Sequence, residues 1–197
     1  MFYPPGLKQR EWLEYYSTQF SSVELNVTFY RLPQESAFVG WHRRTPKDFT
    51  FAVKGSRFIT HVKRLKDPVE PLRTFFSRVK LLKDKIGAVL WQLPPRFRFS
   101  RERFLTFLRA LKRYKVQNAF EVRDESWLTE EVCDALREHG MTLCHHDWPG
   151  LRVTSPDNFP FLYIRRHGTV SLYQGSYSSR QLSDDARKIS GWIREGK

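Results

Sequence analysis

Polar residues recur at the ends of apolar runs in this sequence, often two positions apart. Glu121 and Arg123 fall in NAFEVRD, Asp147 ends MTLCHHD, and Arg165 and His167 fall in NFPFLYIRRHG. In an extended strand, residues i and i+2 share a face, so each such pair aims two polar groups into one space. Glu24 and Asn26 have the same spacing in SSVELNVTFY, and Lys54 and Gln92 close two further runs. Lys54, Arg123 and Arg165 would hold a phosphate or carboxylate. Asn26, Gln92 and Tyr177 would add substrate contacts beside them. Glu121 or Asp147 could act as a base and His167 as an acid or base. The competing account is structural: Glu121–Arg123 and Asp147–Arg165 as mutual ion pairs.

A divalent metal stays open as cofactor, because Glu24, Glu121, Asp147 and His167 carry the oxygen and nitrogen donors such ions take. No H-E-x-x-H spacing, glycine-rich dinucleotide turn, P-loop or G-x-S-x-G elbow is present. Adjacent His145 and His146 point to opposite faces of a strand, so one of them reads as core. Cys133 and Cys144 are the only cysteines and read as packing. Tyr30, Trp91, Trp127, Trp148, Tyr173 and Tyr177 fall in or near strand-end segments, where they could pack or stack on a base or sugar.

The elements that must position these groups alternate. Lys8–Phe20 reads as a helix, Val23–Phe29 as a strand, Ser36–Arg44 as a short helix and Phe49–Gly55 as a strand. An amphipathic helix follows over 70–85, then the apolar strand GAVLWQL. The helix after it has Ser100 as its N-cap. The helix after NAFEVRD runs from Thr129 as N-cap to Gly140 as stop. Two more strands and a closing helix capped by Ser183 complete the series. About six strands alternating with helices predict a parallel sheet in an α/β fold. An open doubly wound sheet and a (β/α) barrel both fit. Polar residues at many strand ends are the barrel's habit.

The chain has 197 residues with 34 Lys+Arg against 21 Asp+Glu, and its charge is uneven. Trp41–Lys115 holds 21 basic and 5 acidic residues, more than the whole net charge of +13. Such a block predicts attraction of an anionic ligand or nucleic acid to residues 41–115. The 40% hydrophobic and 15% aromatic content argues against a disordered basic tail. No apolar run is long enough for a membrane span, and MFYPPGLKQR lacks the apolar stretch of a signal peptide. A cytoplasmic protein of one domain over 1–197, with no membrane partner, is the expectation.

The ordered segments FYPPG, VELNVTFYRLP, FAVKGSRFITH, VLWQLPPRF, AFEVRDESW, YIRRHG and YQGSYSSRQL together resemble the YecE-like family, domain of unknown function 72. The resemblance implies a TIM-type (β/α) barrel and no settled activity. Against the family pattern, the Gly-Thr-Ser-Gly-Trp-like first strand and the Asn-Asn-Asp-like last strand are missing, which leaves six of eight. Asp124 stands where the family often has His. A barrel short of two strands predicts bare strand edges and self-association through them. Three functions fit the residues: hydrolysis of a phosphate ester such as a nucleotide or nucleic acid, nucleic-acid binding by a non-catalytic basic flank, or sugar handling by the carboxylates Glu121 and Asp147.

Overall fold

A computed structural model describes residues 2–154 and 158–196. The chain is an α/β protein whose parallel strands follow the hydrogen-bonded order β1 (Ser22–Leu25), β2 (Thr50–Lys54), β3 (Ile86–Gln92), β4 (Gln117–Glu121) and β5 (Thr142–Leu143). It divides into two compact units, Met1–Gln92 with Ser100–Asn118, and Leu93–Phe99 with Ala119–Lys197.

In the first unit, Val23 of β1 pairs with Phe51 of β2, and Val53 of β2 with Val89 of β3. Residues Ala88–Trp91 of β3 are all buried, as expected of a parallel strand covered on both faces. Helices α1 (Trp12–Gln19) and α3 (Glu35–Arg43) match the expected segments, with the single turn α2 (Val27–Tyr30) between them. The cover comes mainly from α4 (Val69–Val79), which buries Leu72, Phe75, Phe76 and Val79, and α5 (Arg101–Leu111), which buries Phe104, Phe107, Leu108, Ala110 and Leu111. Trp91 sits among Phe75, Phe76 and Phe107, and its indole N–H donates to Asn118 Oδ1 at 2.8 Å. That bond removes the one polar cost of burying the ring.

In the second unit, β4 pairs with β5 in parallel, and after Cys144 the chain continues as β6 (His145–Trp148). β6 takes β8 (Ile164–Arg165) as a parallel neighbour and β7 (Leu151–Val153) as an antiparallel one. Helix α6 (Glu130–Glu138) begins where expected. Thr129 Oγ1 accepts from the Val132 N–H, and Gly140 ends the helix region at φ +67°. Helix α7 (Ser179–Arg194) closes the described chain.

Several expectations need correction. No closed barrel is found among the described residues. Six strand positions are occupied, but β8 has two residues and β5 two before it hands over to β6, whereas an eight-membered ring needs continuous, tilted pairing all round. The run 23–29 is not one strand. It turns helical after Leu25 because the buried Thr28 hydroxyl donates to the carbonyls of Leu25 and Lys54, at 2.9 and 2.7 Å. Asn26 therefore precedes a helical turn and does not share a strand face with Glu24. The long strand read over 159–167 shrinks to β8, since Pro160 cannot donate to a ladder. The closing helix is capped by Ser178 in a reciprocal box with Gln181, five residues before Ser183. Ser100 stands at the N-cap of α5 without a capping bond from its side chain. Trp91 and Trp127 are core residues at 0 and 1% exposure. Among the described residues, no helix is long and apolar enough to cross a membrane.

Gly168 is required by its turn. Its φ is +111°, and an added Cβ would meet Ser171 O and lie 2.7 Å from Gln174 O. Both are backbone atoms that cannot swing aside. Gly168→Ala is expected to cost about 1–3 kcal/mol in urea unfolding. Gly191→Ala in α7, where a Cβ meets nothing within 4 Å, is expected to cost nothing and to gain up to about 1 kcal/mol. Equal responses of the two variants would contradict this account of the turn.

Candidate functional site

The second unit gathers its charged groups past the C-terminal ends of β4, β6 and β8. Glu121, the last residue of β4, is fully buried. Its Oε1 accepts from Arg123 Nη2 and lies 3.3 Å from His167 Nε2, while its Oε2 accepts from Arg165 Nη1 at 2.5 Å. One carboxylate thus pairs with two guanidinium groups, one of them with a side chain fully removed from water. The same Arg123 Nη2 is 3.2 Å from His167 Nε2.

Arg123 lies flat over the Trp148 ring, 3.2 Å from its centre. Burial, with the Arg165 charge behind it, lowers its pKa to about 9, so it stays protonated at neutral pH. Its Nε and Nη1 are buried and make no hydrogen bond. It lines a cavity of about 670 Å³ together with Arg96, Arg98, Asp124 and Ser126. Arg96 and Arg98 come from the 93–99 segment after β3 and are exposed. The wall of this cavity is tied down by Trp127, whose indole N–H donates to Phe97 O at 2.5 Å, and by Asp124, which accepts from the N–H and hydroxyl of Ser126.

Asp147 takes a different place from the one expected. The Asp147–Arg165 pairing is not formed; Arg165 of β8 bonds Glu121 at the end of β4 instead. Instead Asp147 Oδ1 accepts from the His167 N–H at 2.7 Å and Oδ2 from the Tyr177 hydroxyl at 2.8 Å, with Arg166 Nη1 3.8 Å away. Burial works to raise its pKa, but these donors outweigh it and hold the carboxyl below the usual range. Burial and the Asp147 bond push the Tyr177 phenol up. Tyr177 in turn accepts from the Gly168 N–H. Asp147 and Tyr177 therefore clamp the segment that carries His167.

Glu121, Arg123, Arg165 and His167 are brought together; Asp147 and Tyr177 join them through the backbone of His167. In the first unit, Lys54 is buried with its ammonium 4.3 Å from the Phe29 ring centre, Glu24 is on β1, and Gln92 ends β3. Among the described residues no group of three or more His, Cys, Asp and Glu side chains is placed to hold a metal ion. Of the two adjacent histidines, His146 is the core one: fully buried, it donates to Val122 O and accepts from the Trp148 N–H. Arg96 and Arg98 were not among the expected ligand residues. Their signal is PPRFRF, two arginines at i, i+2 spacing directly after a strand end.

Fold and site define a parallel-strand α/β protein with a buried glutamate–arginine–histidine cluster beyond the strand ends. The chain belongs to the family described as "Protein of unknown function DUF72", which matches residues 1–197. It is 30% identical over 135 residues to the UPF0759 protein YunF of Bacillus subtilis, covering 64% of this chain and 48% of that protein. It is 34% identical over 85 residues to the UPF0759 protein YecE of Escherichia coli, covering 43% of this chain and 31% of that one. The chain thus spans about half or less of the curated relatives it matches. The crystal structure of a DUF72 family protein from Thermotoga maritima is similar at a TM-score of 0.78 and 32% identity, over 96% of this chain and 82% of that one. A DUF72 family structure from Enterococcus faecalis shares the fold at a TM-score of 0.75 and 18% identity, over 93% of this chain and 82% of that one. None of these descriptions states a reaction.

Proposed function

We propose that the chain binds the phosphate of a nucleotide or nucleic-acid ester in the cavity of Arg96, Arg98 and Arg123. The observation that carries this reading is the pair of exposed arginines, Arg96 and Arg98, on a cavity that Arg123 also lines, with the Arg123 side chain buried and its Nε and Nη1 unpaired. Buried donors left unpaired cost about 1–3 kcal/mol each, and an oxyanion would recover that cost. Ester hydrolysis is the reaction we assign to the site. His167 is its best-placed proton carrier, since its Nε2 is beside the guanidinium that would hold the phosphate. Glu121 serves as counter-ion to two arginines and Asp147 as a clamp. Asp147, whose donors hold its carboxyl below the usual range, lacks the raised pKa that an acid for glycoside cleavage needs, which weighs against the sugar reading.

Calorimetric titration with a nucleoside monophosphate tests the binding. The double variant Arg96→Ala/Arg98→Ala changes only exposed residues and is expected to weaken affinity about tenfold or more. Unchanged affinity would sink the site. Hydrolysis is read with bis(4-nitrophenyl) phosphate, its turnover being lost in His167→Gln. Binding without turnover would leave a phosphate-binding module and remove the hydrolase.

A further inference from the structure

We infer that a cavity in the first unit, floored by stacked Phe76 and Tyr114, is a base-stacking site for a single-stranded nucleic acid. The cavity measures about 480 Å³ and lies where α4, the 80–85 turn, the start of β3 and the end of the α5 segment meet. Phe76 and Tyr114 are parallel within 15°, with ring centres 3.9 Å apart. Phe76 is buried at 4% exposure, while Tyr114 is half-buried and lines the cavity. A ring already held flat by a second ring is a pre-ordered platform, and stacking on it costs a base little further ordering.

The rim supplies the backbone contacts. Arg73, Lys80, Lys83, Arg113 and Lys115 line the cavity, and no acidic side chain does. Arg73 is tied to Glu70; the other four are exposed. Lys83 holds φ +52° and ψ −124°, a costly backbone for a lysine, at the rim itself. Cations around a flat aromatic floor match the two chemistries of a nucleic-acid strand, anionic phosphate and π-faced base. A lipid surface fits less well, because it would want the apolar groups outermost and here they lie recessed below the charges. These residues fall within the basic block 41–115 and give it a location. The inference does not rest on the phosphate-ester reading, since its residues all belong to the other unit.

The test is fluorescence anisotropy of the whole chain with a short labelled oligothymidylate, across a salt series. Tyr114→Ala is expected to weaken binding about tenfold, and Tyr114→Phe to keep the parent affinity. The triple variant Lys80→Ala/Lys83→Ala/Arg113→Ala alters exposed side chains and leaves the fold intact by circular dichroism. It is expected to flatten the salt dependence, by about 0.7 in log–log slope for each phosphate left without its cation. The loss in Tyr114→Ala is expected to be as large in the Arg96→Ala/Arg98→Ala background, which separates this site from the phosphate cavity. The inference is overturned if the triple variant binds with the parent's affinity and slope. It is equally overturned if the chain binds phosphatidylserine vesicles and no oligonucleotide.

Discussion

Glu121→Gln is expected to lower the unfolding free energy by about 3–5 kcal/mol, the largest loss of any single substitution at the site. The glutamine keeps the shape and one acceptor oxygen but removes the charge. Arg123, its side chain fully buried, and Arg165, with 12% of its side chain exposed, then both lose the carboxylate charge they bond. The loss measures stranded cations and not the worth of one hydrogen bond. A second substitution separates the two. In Glu121→Gln/Arg123→Met one stranded charge is gone and a similar volume is kept, so part of the stability should return. Urea melts of the parent, both single variants and the double close the cycle. Strict additivity, with no coupling between the positions, would refute the pairing.

The pairing was half legible beforehand. Glu121 and Arg123 are two apart at the end of one apolar run, a spacing that suggests a common face, although β4 ends at Glu121 and Arg123 lies two residues past it. That Arg165 and His167 come to the same carboxylate depends on where β8 pairs in the sheet, since Arg165 is 44 residues from Glu121 in the chain. No local pattern carries that register. Asp147 missed its expected partner for the same reason. The helices were the easiest to place, because a period of 3.6 over eleven residues, as in Leu72, Phe75, Phe76 and Val79, has few rival readings. Alternation over a short run is weaker evidence. Val23, Leu25, Val27 and Phe29 alternate as a strand should, yet two bonds from one buried threonine hydroxyl were enough to bend the chain into a helical turn. The tryptophans show a similar limit. Trp91 and Trp127 each need one carbonyl acceptor to be buried whole, and those acceptors, Asn118 and Phe97, are about thirty residues distant. Arg96 and Arg98 carry only the weak i, i+2 signal of PPRFRF in a loop, and it is the cavity that gives that spacing a meaning.

Acid lability starting near pH 6.5 is the second large effect expected, and histidine burial is its cause. Burial first, then the Arg123 charge and His167, lowers the His146 pKa to about 3, against small opposing help from Val122 O and Asp147. Burial first, then Arg57, Lys54 and Arg64, lowers His61 to about 4, and burial also lowers His145. His146 and His61 are neutral when folded and take up a proton on unfolding below about pH 6.5. The unfolded chain then binds more protons than the native one, so stability falls as pH falls. For His146, which is fully buried, the slope is about 1.4 kcal/mol per pH unit, or about 2 kcal/mol between pH 6.5 and 5. The partly exposed His61 adds less. Three aspartates act outside that window. Asp84, Asp124 and Asp147 all have lowered pKa values, and what they contribute is lost only as the pH falls below their ordinary value of 3.8. Urea unfolding at pH 7, 6 and 5 reads the slope, and proton NMR of the His146 ring should show no titration across that range while the chain stays folded. A stability profile flat from pH 7 to 5 would mean that His146 is protonated in the native protein, and with it that the Arg123 cluster is wetter than its geometry implies.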